Sequence, residues 1–308
     1  MAGMTLIELM VAMAVGLVVV LAAAAALLAA RTGFTAMDVS SQLRENARLA
    51  MDLVQRITVQ AGYEDVMRSS QKAGAAAWGV SATPDVFGFN NALLTVSDSS
   101  PALTTNSRTS CTGGGTACAN GSDILVLRYY GSNAYDDDTK ADGSIINCAG
   151  MAERWESDPA RRPYSVFHVA VSNGEPTLMC SYMAEDRSGW QTEPIVQGVE
   201  SFQVLYGVHQ SSSHDDTANQ YLRADQMTAA DWKKVRTLKI GLLLRGDGSS
   251  RAEYAPTSTF YQSGTTFYPL GRSAQDDADP GTALQVGDNR LRHVVSFTVQ
   301  LRNSQRPY

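Results

Sequence analysis

MAGMTLIELMVAMAVGLVVVLAAAAALLAA, residues 1–30, is the stretch that decides the fold. Between residues 9 and 30 no side chain is charged, and Gly16 is the only residue that is not Leu, Val, Met or Ala. About 22 residues at roughly 1.5 Å each cover the ~30 Å hydrocarbon core of a bilayer. One acid, Glu8, stands at the front of the run, and a carboxylate carried into a bilayer costs about 2.5–3.5 kcal/mol. Such a charge calls for a compensating positive group, expected from another copy or from a partner. Two plainer readings compete: a secretory signal cut near Ala30, or a simple single-span anchor. A signal normally has a shorter apolar region and no acid within it.

Helical periodicity continues beyond the run. Leu43, Ala47, Ala50, Val54, Ile57 and Ala61 recur at three- and four-residue spacing, with Arg44, Glu45, Arg48, Asp52 and Arg56 mostly on other faces. Asp52 and Arg56 form an acid-before-base pair at i,i+4. Gly62 offers a stop. Gly33 and two serines within residues 32–41 predict a weak or bent stretch between the halves. The expectation is one long helix over residues 4–62, membrane-spanning over about 6–30 and amphipathic over 35–62. Its second half needs a surface to pack on, and the remaining chain is the nearest.

From residue 63 the pattern becomes short strands between polar loops. Residues 123–130 (DILVLRYY) follow the turn signal Asn120-Gly121, and residues 165–171 and 177–183 flank Asn173-Gly174 as a hairpin. Residues 195–208 read as a further strand with Val199, Phe202, Val204 and Tyr206 in the core. Residues 235–245, 259–268 and 293–301 complete the set, and 229–234 reads as a short helical turn. Surface loops are expected at 97–122, 211–219 and 273–289. No strand-helix-strand repetition occurs, which argues against a parallel doubly wound sheet. Residues 63–308 are thus expected as one β-rich globular domain.

Net charge is −6, which argues against nucleic acid as the main partner. Arg154, Arg161 and Arg162 form a local basic run, read as solvated surface. Cys111, Cys118, Cys148 and Cys180 all lie beyond the apolar run. An even count on the exported side indicates two disulfides with three possible connectivities, of which Cys111–Cys118 and Cys148–Cys180 are favoured. Zinc is the competing use, but no C-x2-C pair and no histidine at ligand spacing occurs. The histidines, His168, His209, His214 and His293, form no H-E-x-x-H, and neither a Gly-x-Ser-x-Gly elbow nor a P-loop occurs. His214-Asp215-Asp216 reads as a solvated loop. Asp136, Asp138 and Asp142, ahead of Gly143, are the most calcium-like set, although an EF-hand frame fails at Lys140 and lacks its final Glu. No enzyme and no required cofactor are expected.

GMTLIEL at residues 3–9, together with the apolar run, resembles the processing site of type IV prepilins. GSDILVLRYY (121–130), VQGVESFQVLYG (196–207), WKKVRTLKIGLLLR (232–245) and LRHVVSFTVQLRN (291–303) resemble the PilW family of minor pilins. Two features depart from the prepilin pattern: Met4 stands where Phe is usual, and the leader, residues 1–3, carries no Lys or Arg. Arg31, directly after the run, also opposes the positive-inside orientation. The resemblance implies cleavage between Gly3 and Met4 by prepilin peptidase, with N-methylation of Met4. Glu8 becomes the fifth mature residue, able to pair with the methylated amine of a neighbour. The bland alternative leaves Glu8 at the headgroup boundary.

The implied fold is α+β and type IV pilin-like, a long N-terminal helix packed on an antiparallel β-rich domain. The implied function is a minor pilin for type IV pilus assembly, in a priming or tip complex. Its implied partners are other minor pilins, the major pilin, the assembly machinery and a tip adhesin. It is held in the inner membrane by one pass with its domain outside the cytoplasm, then enters the extracellular pilus. The rivals are a J-type pseudopilin of a type II secretion system and a membrane-tethered extracytoplasmic enzyme or binding domain.

Overall fold

The computed structural model describes residues 5–65, 84–94, 110–111, 118–156, 162–184, 189–209, 217–247, 264–276, 279–288 and 290–303. Helix α1 runs unbroken over Leu6–Gln60. At about 1.5 Å per residue it is roughly 80 Å long. The bend expected at 32–41 does not interrupt it: Thr35 turns its hydroxyl back to the Arg31 carbonyl (3.2 Å), and Ser40 accepts from the Arg44 guanidinium (3.0 Å). A glycine such as Gly33 costs only about 1 kcal/mol in a helix, too little to break one between two strong halves. Asp52 meets Arg48 one turn before it (3.7 Å).

The helix ends where the sequence placed its stop. Gly62 takes φ +71°, and its N–H donates to the Arg128 carbonyl (2.8 Å) while the Asn303 amide covers the Ala61 carbonyl (3.1 Å). In the second half Val39, Leu43, Ala47, Ala50, Val54, Ile57 and Ala61 are buried in steps of three and four. The small alanines in that stripe let the sheets approach the helix closely.

The chain beyond the helix builds two antiparallel sheets. The first is a five-stranded meander: β1 (Val86–Phe89), β2 (Ile124–Arg128), β3 (Tyr164–Ser172), β4 (Glu175–Met183) and β5 (Trp190–Gln197), each strand beside its predecessor. The second has the order β11-β8-β6-β7, from β6 (Val199–Val208), β7 (Gln220–Leu222), β8 (Val235–Arg245) and β11 (Arg292–Gln300). A small pair joins β9 (Thr266–Phe267) to β10 (Leu284–Gln285). The β3–β4 turn has Asn173 at φ +52° and Gly174 at +79°, the left-handed pair a tight hairpin demands.

Four expectations need correction. Residues 195–208 are two strands, because Gly198 at φ +85° redirects the chain from the first sheet into the second. A Cβ there would lie 2.5 Å from the Arg245 carbonyl oxygen, so the crossing needs glycine. Of the strand expected at 259–268, residues 259–263 lie outside the described residues, and among the described ones the strand is Thr266–Phe267. The loop expected on the surface at 273–289 instead buries Asp279 and Thr282 and contributes β10. Arg162 is buried against Asp85, not part of a solvated basic run. Arg154 is exposed, and Arg161 lies outside the described residues.

The sheets and α1 share one core. Phe202, Val204 and Tyr206 of β6 face the same interior as Ile57 and Val54 of α1. Trp232, in the short 3-10 turn Asp231–Lys234 expected from the sequence, stacks edge-on against Tyr206 (4.8 Å) and Phe87 (6.5 Å), joining β6 to β1.

Candidate functional site

The front of α1 is built by a local motif. Thr5 caps the helix: its hydroxyl accepts from the Glu8 N–H (3.4 Å), and the Glu8 carboxylate accepts from the Thr5 N–H (2.9 Å) and hydroxyl (3.0 Å). This reciprocal arrangement satisfies two donors that a helix start leaves orphaned. Compensation of Glu8 therefore begins within its own chain, where the sequence reading looked only to a neighbour. The Thr5-x-x-Glu8 spacing is the signal that would have revealed it. The hydrogen bonds spread the charge but leave it in place. Gly3 and Met4 lie outside the described residues.

Around Glu8 the helix is bare. Large apolar residues from Leu6 to Leu28 are about half to four-fifths exposed, with Leu6 at 79%. Past Arg31, Phe34, Met37 and Leu49 are also exposed on faces turned away from the sheets. Helix α1 is long and apolar enough to cross a membrane as a single-pass anchor. A helix apolar on every side is stable only in lipid or against other helices.

The structure joins Cys111 to Cys118 and Cys148 to Cys180. Cys148 belongs to the loop between β2 and β3, and its partner lies in β4. In the same loop the Ile146 N–H donates to the Gln60 side chain (3.0 Å), so this staple also seats the loop against the end of α1.

The acidic turn uses its carboxylates internally. Asp137 accepts from the Thr139 N–H (2.9 Å) and hydroxyl (2.5 Å) and meets Lys140 (3.1 Å). Asp142 accepts from the Ser132 hydroxyl (2.6 Å) and from Ser144. Asp136 and Asp138 are exposed beside them. Among the described residues no group of three His, Cys, Asp or Glu is placed to hold a metal. His168 is buried in β3 with its ring 3.1 Å from the Ser181 hydroxyl, and His209 meets the Thr217 carbonyl. His214, Asp215 and Asp216 lie outside the described residues.

Sequence reasoning missed the charged strut that ties the sheets together. Arg245 at the end of β8 reaches Glu175 of β4 (2.7 Å) and Glu200 of β6 (3.1 Å). Arg292 of β11 holds Glu200 (2.6 Å) and Asp288 (2.6 Å), and Arg290 holds Glu175 (3.0 Å). Three arginines and three acids thus cross from one sheet to the other. Burial pushes the Glu175 carboxyl up, but hydrogen bonds from Arg245 and Arg290 outweigh it and hold it below the usual range. These partners are far apart in sequence, so no local pattern announces them.

Asp123 makes a second tie. Its two carboxylate oxygens accept from the Asn91 N–H (2.9 Å) and the Val204 N–H (2.8 Å), clipping the β1 end to β6. Complete burial pushes this carboxyl well up despite both bonds. At the other end of the sheet Arg128 is buried over the Tyr164 ring (4.6 Å), and desolvation, with Arg162 nearby, lowers its pKa to about 10.

An open groove of about 480 Å³ lies beside the strut, lined by Cys118, Asn120, Gly174, Pro176, Arg245 and Pro280. Its one charged group among the described residues, Arg245, is already engaged by Glu175 and Glu200. Among the described residues the groove presents no nucleophile, base and orienting group in register.

Residues 166–303, a little under half of the chain, match the family model described as type IV pilus-assembly protein W. No match occurs among curated proteins. Among solved structures the chain is similar to a type IV-like pilin from Thermus thermophilus, at 15% identity and a TM-score of 0.38, covering 86% of this chain and 97% of that one. A likeness that distant carries no weight for function.

Proposed function

We propose that this chain, whose residues 166–303 match the family model described as type IV pilus-assembly protein W, is a minor pilin that assembles through its N-terminal helix. The supporting observation is the split character of α1: its front half is apolar and uncovered on every side, while its second half is packed on its own domain. A protein built this way awaits other helices. The chain is held in the inner membrane by a single pass, with its domain outside the cytoplasm. Prepilin peptidase cuts between Gly3 and Met4 and methylates the new amine. The subunit then joins other minor pilins in a priming or tip complex that carries the major pilin behind it, with an adhesin at the tip. The assembly step is non-covalent and needs no cofactor.

In this reading Glu8 moves from its bonds with Thr5 to the methylated Met4 amine of a neighbour, and two charges cancel in a dry bundle. An unpaired charge there costs several kcal/mol. Glu8→Ala is expected to insert in the membrane normally yet co-purify poorly with pilins. Full-length protein captured from membranes, with partners identified by mass, measures this; undiminished recovery with Glu8→Ala sinks the pairing. Gly3→Val is expected to keep its leader, read as an unshifted N-terminal mass.

A further inference from the structure

The two sheets have four outer edges, and three are blunted. β1 has four residues and β7 three, while β5 contains Pro194 and pairs with β4 through a register shift. β11 is different: nine residues pair one-for-one with β8, without a bulge or a proline. Sheets ordinarily guard an edge of that length. The Leu301 N–H donates to the Arg236 carbonyl, and the Gly246 N–H to the Leu291 carbonyl, which fixes the phase of the ladder. Odd-numbered residues of β11 therefore bond to β8, and Val294, Ser296, Thr298 and Gln300 turn their N–H and C=O groups outward. Ser296, Thr298 and Gln300 are exposed, and no backbone partner meets their outward groups among the described residues.

The edge has a polarity and a charge. β11 runs in the same direction as α1, because Asn303 just beyond it bonds the Ala61 carbonyl and its last residues share a groove with Gln55 and Val59. Residues 289–308 contain no acid in a chain of net charge −6. Lys239, opposite Thr298 on β8, and the exposed Arg302 have no acid partner among the described residues. On the face toward α1, Val295 and Phe297 remain only partly buried.

We propose that the β11 edge receives an extended acidic segment from a different membrane-anchored subunit, added antiparallel to β11. This deepens the pilin reading and rests on it. A second copy is the wrong occupant, since antiparallel β11–β11 pairing about a two-fold axis points the two α1 helices in opposite directions. Copies anchored in one membrane point the same way. The incoming segment runs back toward the membrane, places alternate apolar side chains beside Val295 and Phe297, and brings its acids to Lys239 and Arg302. Main-chain bonds supply affinity, and the alternating pockets supply choice of partner.

The test places a photo-crosslinking benzoylphenylalanine at Ser296 of the full-length protein in membranes, with fully exposed Tyr135 as the control position. The expected product joins residue 296 to an acidic, alternately apolar segment of another pilin subunit. Thr298→Pro removes one outward N–H and no bond to β8, so its thermal midpoint is expected to hold while crosslink yield falls about tenfold. Lys239→Glu is expected to lower the yield without touching the backbone. Equal yields in both variants, or a crosslink to a second copy of this chain, overturn the edge proposal and leave the pilin reading intact. A wild type that crosslinks to and recovers no pilin subunit overturns both.

Discussion

Val18 and Val54 lie on one continuous helix, yet the first is 64% exposed and the second wholly covered. Around Val18 every neighbouring face is equally apolar, so no side of the helix is set apart for the protein's own sheets. Around Val54 the apolar residues form a single stripe, flanked by Arg48, Asp52 and Arg56. Pattern, rather than hydrophobicity, decides which half folds onto the domain and which is left for lipid or other helices. One rod is thus bare at its front and part of the protein's own core at its back.

Charge insertion separates the halves most sharply. Ile57→Asp buries an unpaired carboxylate between the helix and both sheets, a change expected to cost more than about 4 kcal/mol and to abolish the cooperative thermal transition. Val20→Asp adds the same group to the bare half. It is expected to impair membrane insertion by about 3 kcal/mol while leaving the melting of the inserted fraction unchanged. Circular dichroism of the detergent-solubilised proteins compares the two, and matched losses of melting temperature would erase the distinction.

The disulfides refine it. Cys148–Cys180 spans 32 positions and steadies the loop that touches Gln60, whereas Cys111–Cys118 spans seven and lines the groove beside Arg245. Loop-closure entropy gives about 3.7 kcal/mol for the longer and about 2.4 for the shorter. Replacing Cys148 and Cys180 by alanine is expected to lower the urea midpoint more than replacing Cys111 and Cys118. Hydrogen exchange near Gln60 should rise only in the first case.

Acid probes the strut. The folded Glu175 has a depressed pKa, so its contribution is present above the ordinary glutamate value of 4.5 and is lost as pH falls through the folded value. Asp123 has the opposite sign: raised when folded, it contributes below the ordinary 3.8 and loses that contribution as pH rises through its folded value. Glu175→Gln is expected to flatten the loss of urea stability as pH falls below the ordinary glutamate value of 4.5. An unchanged acid limb assigns that loss elsewhere.

How much of this was readable depends on the range of the interaction. The buried stripe from Leu43 to Ala61 and the Asn173-Gly174 hairpin follow from neighbours a few residues apart, and periodicity exposes them. The switch at Gly198 was hidden because apolar residues continue on both sides, and only Arg245, far along the chain, explains the glycine. The strut among Glu175, Glu200, Arg245, Arg290 and Arg292 is wholly non-local. Glu8 stood out by its isolation. Its partner Thr5 offers a hydroxyl and not a charge, so capping-box spacing, rather than charge pattern, is the local signal that identifies it.

The Thr5–Glu8 contact carries the smallest expected effect and separates two roles for Glu8. Thr5→Ala removes the hydroxyl that caps α1 and one of the two donors to the carboxylate, while the residue 5 N–H stays. Loss of such a cap costs about 1 kcal/mol. The effect is confined to the first turn, where nothing of the globular domain is packed, so the melting transition is expected to stay within experimental error. If the carboxylate acts through a neighbour's amine, Thr5→Ala frees it sooner, and recovery of pilins should match or slightly exceed wild type while Glu8→Ala still fails. Equal failure of the two variants means that the cap itself is what assembly requires, and the amine pairing falls.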